Sequence, residues 1–482
     1  MPKKSPKAKP NKNSKQITIV TVLLCILVLS YIYLAKLPLA TTILAIIIVL
    51  LGSGYIISTV NAFPNFLIIY AGSTKPTTKI GLSVIEYASK HNARFWRGLT
   101  EWGLVLGFGL LSYFIFKKHV SKKMLLFGLI SIILIQVFVL PYITLTYGLI
   151  RNQSLQSNAI TVQGYAGGYG NYVPYLLLLI SVIGGFGLFI FAELIYIATL
   201  TVYGIFAFSV EHTLSTPPGP TASPVIPGVT IPLFAGIISL IIVITTHELS
   251  HGVMVRLNGL KVKSIGLLLV GIIPFGAFVE PNEKAIAKLD KKQQNMISIA
   301  GVATNFLVTI PFAALTILTA TVLPNYMISH VVVQSTITGT PAYNTIPIGS
   351  TILKWNNYNI SGLQSLTSIA HHDLPFTNVT IITNNATYVL KTNSTGKVGV
   401  LLIQQSTLIN GIIPKIINFL FSVFGLTFML SFFVGAFNLL PIPGFDGWRL
   451  YRSVMKEKTL MLVTLIAIIV FIMILLPWLW FV

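Results

Sequence analysis

The chain has 482 residues, of which 54% are hydrophobic and only 9% charged, and its mean hydropathy is +0.83. So few charges could not keep that much apolar side chain dispersed in water, so composition excludes a soluble globular protein. The formal net charge of +21 would point a soluble chain towards nucleic acid. In an apolar chain it follows from lysine and arginine gathered in cytoplasmic loops, and no nucleic-acid partner is expected. The single cysteine, Cys25, lies in an apolar run, which excludes an internal disulfide and a cysteine metal cage.

Residues 1–15 form a basic tail ahead of an apolar run at 16–35, so the tail is expected in the cytoplasm and the run as an uncleaved first span. A second span is expected over 39–59. The polar and basic stretch 73–97 carries Ile80, Leu82, Ile85 and Ala88 at helical spacing, the pattern of an amphipathic helix lying on the membrane surface. Further spans are expected over 98–116, which holds Glu101, and over 124–150. Residues 172–210 are long enough for two spans or one tilted span, are interrupted by Gly184, Gly185 and Gly187, and contain Glu193. Simple alternation from a cytoplasmic tail places Lys117, Lys118, Lys122 and Lys123 outside, against the charge rule. Residues 16–214 are read as an N-terminal transmembrane region.

Six prolines between Ser215 and Pro232 forbid a helix there. A span over 231–255 follows, and then a loop to Gln294 dense in lysine and arginine, expected in the cytoplasm. Inside that loop the apolar stretch 264–280 is broken by Gly266, Gly271 and Gly276. It is too short to span and is expected as a re-entrant or membrane-edge β segment, whose exposed strand edges can pair with an extended peptide. The next span covers 295–322, so residues 215–324 form the first part of a membrane core. Residues 325–407 change character: they are polar, rich in Asn, Ser and Thr, and contain strand-like runs. They are expected as a small α/β or mostly-β domain outside the membrane. Its Asn-x-Ser/Thr triplets begin at Asn359, Asn378, Asn385 and Asn393. Residues 408–482 supply the last two spans. The fold class is thus an α-helical polytopic membrane protein of about 8–9 spans, with an extracytoplasmic domain inserted between core spans.

Two motifs carry chemistry. The first, His247-Glu248-Leu249-Ser250-His251, closes the span at 231–255. Residues four apart share a helix face, so both imidazoles can reach one zinc ion, with Glu248 placed as general base. Two histidines and a glutamate in an apolar helix are costly and so point to function. A catalytic zinc takes three protein ligands and an open position. The second motif, between the last two spans, runs from Asn438 to Gly447 and is broken by Pro441, Pro443 and Gly444. Asp446 is the aspartate beside the last two spans, and the basic residues after it place it on the same side of the membrane. It is the candidate third ligand.

The pair resembles the site-2 protease family of intramembrane zinc metalloproteases over about residues 225–455. The resemblance implies Zn2+ held by His247, His251 and Asp446, with Glu248 as base. The family's Ala-Gly-Pro-x-x-Asn element is matched by Ala300 to Asn305, with Val302 in place of proline. Asn305 and Asn438 are then candidates for binding substrate backbone or the oxyanion, or for plain interhelical hydrogen bonds. Gly271 and Gly276 are candidates for pairing with a substrate strand. Some members insert a PDZ domain at this point, and residues 340–360 are similar to that pattern, with Ser350 where an acidic residue is usual. Phe95-Trp96-Arg97 is similar to archaeal members. The expected partners are membrane-anchored protein substrates and the lipid bilayer. The expected location is a cell membrane crossed several times, with the metal near the cytoplasmic side and the PDZ-like domain outside. A secondary transporter or an inactive scaffold is the alternative, resting on Glu101, Glu193 and the glycine breaks.

Overall fold

The structure, a computed structural model, describes residues 13–35, 39–60, 69–71, 76–116, 119–143, 146, 150, 173–210, 225–270 and 273–477. It is mostly helical, and among these residues seven helices are long and apolar enough to cross a membrane. Contacts divide the chain into two units, one running to Ala314 and resuming at Ser422, the other centred on Leu315–Phe421.

In the first unit, α1 (Ser14–Leu34) and α2 (Leu39–Val60) pack together, and Cys25 Sγ lies 3.7 Å from Ser53 Oγ between them. The amphipathic stretch forms α3 (Pro76–His91), and the chain re-enters helix as α4 (Ala93–Phe108) after a break at Asn92. The expected span over 98–116 is corrected. Helix α4 ends at Gly109, whose φ of +56° an L side chain rarely adopts, and only the short α5 (Leu111–Ile115) follows. The Ser121 N–H then donates to the Glu101 carboxylate, and His119 comes within electrostatic range of Lys292 and Asp290. Residues 119–121 therefore return to the side on which α4 passed Glu101.

Ser121 caps α6 (Lys122–Leu134) by accepting from Met124 N at 3.2 Å. A π turn over Ile135–Val139 extends the helix and presents the Gln136 carboxamide to the Ser181 hydroxyl at 2.9 Å. Ser181 belongs to α7 (Val173–Ser209), one long helix interrupted at Gly185 (φ +67°). The interruption frees the Val182 carbonyl, which accepts from Leu110 N at 2.9 Å. A Cβ on Gly185 would fall 2.3 Å from the Gly107 carbonyl carbon, and one on Gly109 would fall 2.5 Å from Val182 O. Only glycine at both places lets the two backbones meet. Lipid gives helices no hydrophobic reason to associate, so such close approach supplies the packing.

Helix α8 (Leu233–Leu257) carries the two histidines. After it, β2 (Val262–Val270) and β3 (Ile273–Pro281) form an antiparallel hairpin, joined by β1 (Ile69–Ala71) from 190 residues earlier in the order β1-β2-β3. The glycine-rich stretch is thus β structure, as its breaks imply. The short α9 (Glu283–Ile286) leads to α10 (Lys291–Val322). In the second unit β4 (Met327–Thr336), β5 (Thr351–Trp355), β6 (Tyr358–Asn359), β7 (Asn378–Thr383), β8 (Thr387–Lys391) and β9 (Val400–Leu408) form an antiparallel sheet ordered β8-β7-β5-β4-β9, with β6 on β5. Alternate buried positions, among them Val331, Val333, Val379 and Ile381, meet Leu366 of α11 (Leu363–Ala370).

The chain returns through α12 (Ile412–Phe437), α13 (Asp446–Val454) and α14 (Glu457–Leu475). In the first unit Ser239 of α8 donates to Val423 O of α12 at 3.0 Å and accepts from Thr427 Oγ1 at 3.0 Å. Phe186, Phe306 and Phe432 tie α7, α10 and α12 together, with ring centroids 5.2–5.8 Å apart, each pair contributing about 0.5–1.5 kcal/mol. One outcome tests the returning path of residues 93–121. Cysteines replacing the exposed Lys122 and Lys288, in a chain whose own Cys25 is buried, should react with an impermeant maleimide from the same side of the membrane. Reaction from opposite sides would mean that α4 and α5 cross.

Candidate metal centre

Helix α8 sets His247 and His251 one turn apart on its inner face, with His247 only 7% exposed. Asp446 arrives from the break after α12. Pro441 and Pro443 cannot continue that helix, Gly444 turns the chain at φ +100°, and Phe445 is extended, so Asp446 opens α13. Two contacts fix the break: Gly447 N donates to Asn438 O at 2.6 Å, and Thr464 Oγ1 of α14 donates to Pro441 O at 2.7 Å. Gly447 has to be glycine, because a Cβ there would lie 2.4 Å from the Leu439 carbonyl.

These elements bring three donor atoms together. His247 Nε2 lies 3.1 Å from Asp446 Oδ2, His251 Nε2 lies 3.3 Å from it, and the two Nε2 atoms are 3.3 Å apart. Around a tetrahedral zinc with bonds of about 2.0–2.1 Å, neighbouring ligand atoms stand about 3.3 Å apart. The triangle fits that ion. Asp446 Oδ2 is also buried without a hydrogen-bond partner, a costly state for a carboxylate oxygen unless a cation meets it.

The far nitrogens of both rings are occupied. His251 Nδ1 lies 2.7 Å from Ile297 O, so it carries the proton and leaves Nε2 a free lone pair. His247 Nδ1 lies 3.0 Å from the Asn305 amide nitrogen, while Asn305 Oδ1 is buried and unpartnered. Turning the carboxamide end for end, a choice the hydrogen-bond network decides, lets Oδ1 accept from Nδ1–H and satisfies both groups. Asn305, fully buried, thus orients His247 from the side of the ring opposite Nε2.

Gly301 completes the cavity from α10. A Cβ there would sit 2.4 Å from His247 Nε2 and 2.6 Å from His251 Nε2, in the space between the donors. Gly301 stands four residues before Asn305, on the same helix face, and that spacing is its signal in the sequence. On the other side of α8, Ile85 of α3 fills the space beside Gly252, where a Cβ would meet it at 2.5 Å. Glu86 of α3 pairs with Arg256 of α8, and Lys90 and then Arg256 hold its carboxyl below the usual range. Glu248 is half-buried directly after His247. Asn438 gives one amide N–H to Val434 O at 2.9 Å and is half-buried. Gly276 lies in β3 opposite Leu268, and Gly271 falls outside the described residues.

Residues 235–478, just over half of the chain, match the sequence pattern of peptidase family M50, the site-2 protease family. The chain belongs to peptidase family M50. An uncharacterized protein of Methanocaldococcus jannaschii, MJ0971, is 29% identical over 262 residues, covering 52% of this chain and 66% of that protein. The M50 match spans α8, β2, β3, α10 and the Asp446 break, so all three donors lie within it. M50 members are generally zinc-dependent proteases, and the donor set here suits that ion. Helices α3 and α4, which pack around the centre, lie outside the matched residues.

Gly301→Ala should abolish stoichiometric metal, from about one zinc per chain to near none by elemental analysis of purified protein. Asn305→Leu should weaken zinc affinity by about 10–100-fold, the usual cost of removing a group that orients a ligand, measured by chelator competition.

Proposed function

We propose that this M50 member is an intramembrane zinc metalloendopeptidase that cuts membrane-anchored proteins in or near their transmembrane segments. The observation that carries the reading is the convergence of His247, His251 and Asp446, at 3.1–3.3 Å, inside a bundle of apolar helices. A zinc ion held there supplies Lewis acidity, polarising a carbonyl and bringing the pKa of water to about 7. The chain's residues do the rest. Glu248 takes the proton of the attacking water and hands it to the leaving amine. Asn305 is engaged with His247, so the developing oxyanion is assigned to Asn438, whose amide keeps a second N–H free of Val434.

A helical substrate hides its backbone and has to unwind to be cut. The strand order supports one docking edge: β1 already pairs with β2, so among the described residues the unpaired edge belongs to β3, which packs against α8. A substrate segment added to β3 would replace its lost helical hydrogen bonds with interstrand ones. The sheet of the second unit supports a PDZ-like reading. Between α11 and β9 lies an open surface depression lined by Ser361, Gly362, Ser365, Ser368 and Gln404. Gln404 accepts from Leu363 N at 3.0 Å there. We read this domain as facing outside and the metal centre as nearer the cytoplasmic side.

Glu248→Gln should keep its zinc and lose cleavage of a membrane-anchored substrate by about 10²–10⁴-fold. Cleavage equal to wild type would remove Glu248 as the base, and no cleavage and no stoichiometric zinc in either protein would remove the hydrolase reading in favour of a transporter or a scaffold. Gly276→Val should reduce cleavage while leaving zinc content intact. Equal cleavage would exclude β3 as the docking edge.

A further inference from the structure

The surface of the second unit presents a solubility problem. Residues 325–407 contain only four charged side chains, Lys354, Asp373, Lys391 and Lys397, where exposed surfaces usually carry about a quarter to a third. Large apolar side chains are exposed nonetheless, among them Ile348, Tyr358, Leu374, Phe376 and Val389, each 61–69% accessible. Among the described residues strand β8 ends the sheet with an unpaired edge, a template for aggregation that proteins usually blunt with charge; within β8 only Lys391 carries charge.

The four Asn-x-Ser/Thr triplets lie on this surface in two distinct states. Asn359, Asn378 and Asn385 are exposed. Asn359 adjoins exposed Tyr358 on β6. Asn378 starts β7 opposite Lys391 of β8, and Asn385 sits in the turn joining the same two strands, with one marginal contact of 3.5 Å to Ser350 Oγ. Asn393 is half-buried, and its carboxamide oxygen accepts from Thr395 N, Thr395 Oγ1 and Lys397 N at 2.8–2.9 Å.

We propose that Asn359, Asn378 and Asn385 carry N-linked glycans and that Asn393 does not. The donor class is an oligosaccharide carried on a polyprenyl phosphate or diphosphate. The asparagine Nδ2 bonds to the sugar C1, the C1–O bond to phosphate breaks, the polyprenyl phosphate leaves with that electron pair, and one amide proton passes to base. No oxidant or reductant is needed. Glycans at Asn378 and Asn385 stand at the two ends of the β7–β8 hairpin and hydrate its open edge. The one at Asn359 hydrates the β6 side. The proposal rests on the outward-facing reading of this domain.

Two measurements on full-length protein in its own cells test it. Glycopeptide mass spectrometry should find sugar on at least two of the three exposed asparagines and none on Asn393. Thr345→Cys, an exposed position outside every triplet, should react with an impermeant maleimide on intact cells. Labelled cysteine with bare asparagines, or sugar on Asn393, overturns the glycan assignment and leaves the outward reading standing. Cysteine that reacts only after permeabilisation overturns the outward reading and the proposal with it. The triple Asn→Gln variant should also aggregate more on extraction; unchanged solubility would overturn the hydrating role.

Discussion

Two imidazole nitrogens and a carboxylate oxygen face one another across 3.1–3.3 Å, and the rest of the first unit follows from holding them there. Lone pairs at that distance repel, and the carboxylate oxygen among them has no hydrogen-bond donor. A bilayer interior offers little water to relieve either cost. The arrangement is stable when a cation sits between the donors, and it persists only if each donor is fixed from behind. Ile297 O and the Asn305 amide do this for the rings, and the Asn438–Gly447 and Pro441–Thr464 hydrogen bonds do it for the aspartate.

The helices around the centre meet through absent side chains more than through large ones. Gly103 lies against Ala303, Gly107 against Leu439, Gly109 against Gly185, Gly252 against Ile85, and Gly447 against the Leu439 backbone. In lipid, where burial of apolar surface drives little, close backbone approach and dispersion supply the association. This explains why α3 and α4, which lie outside the family match, pack directly against α8, α10 and the Asp446 break. Residues outside the family match thus still pack beside the metal-centre helices.

Much of this was legible in the sequence. The spacing of His247 and His251 encodes a shared helix face, and composition encodes the membrane. Asp446 stood out because a carboxylate beside an apolar span is costly. Other features were hidden for physical reasons. The span expected over 98–116 failed because hydropathy is blind to the backbone conformation of Gly109. The pairing of β1 with β2 joins Ile69 to Leu269 and Ala71 to Leu267, and no local period reports contacts so far apart in the chain. Gly301 and Gly447 matter for what a methyl group would strike, which depends on elements distant in the chain. Asn305 was a candidate for substrate contact or for an interhelical hydrogen bond, and it makes the latter, to His247 Nδ1; the sequence locates a residue on a helix without giving the rotation of its neighbour.

The donor set contains no sulfur, and the single thiol of the chain is buried beside Ser53 between α1 and α2. Imidazole and carboxylate do not oxidise to disulfides or sulfenic acids, and they bind soft, thiophilic ions such as Cu(I) poorly. A centre built this way can load its metal whether the surrounding compartment is reducing or oxidising, and peroxide stress does not disarm it through its ligands.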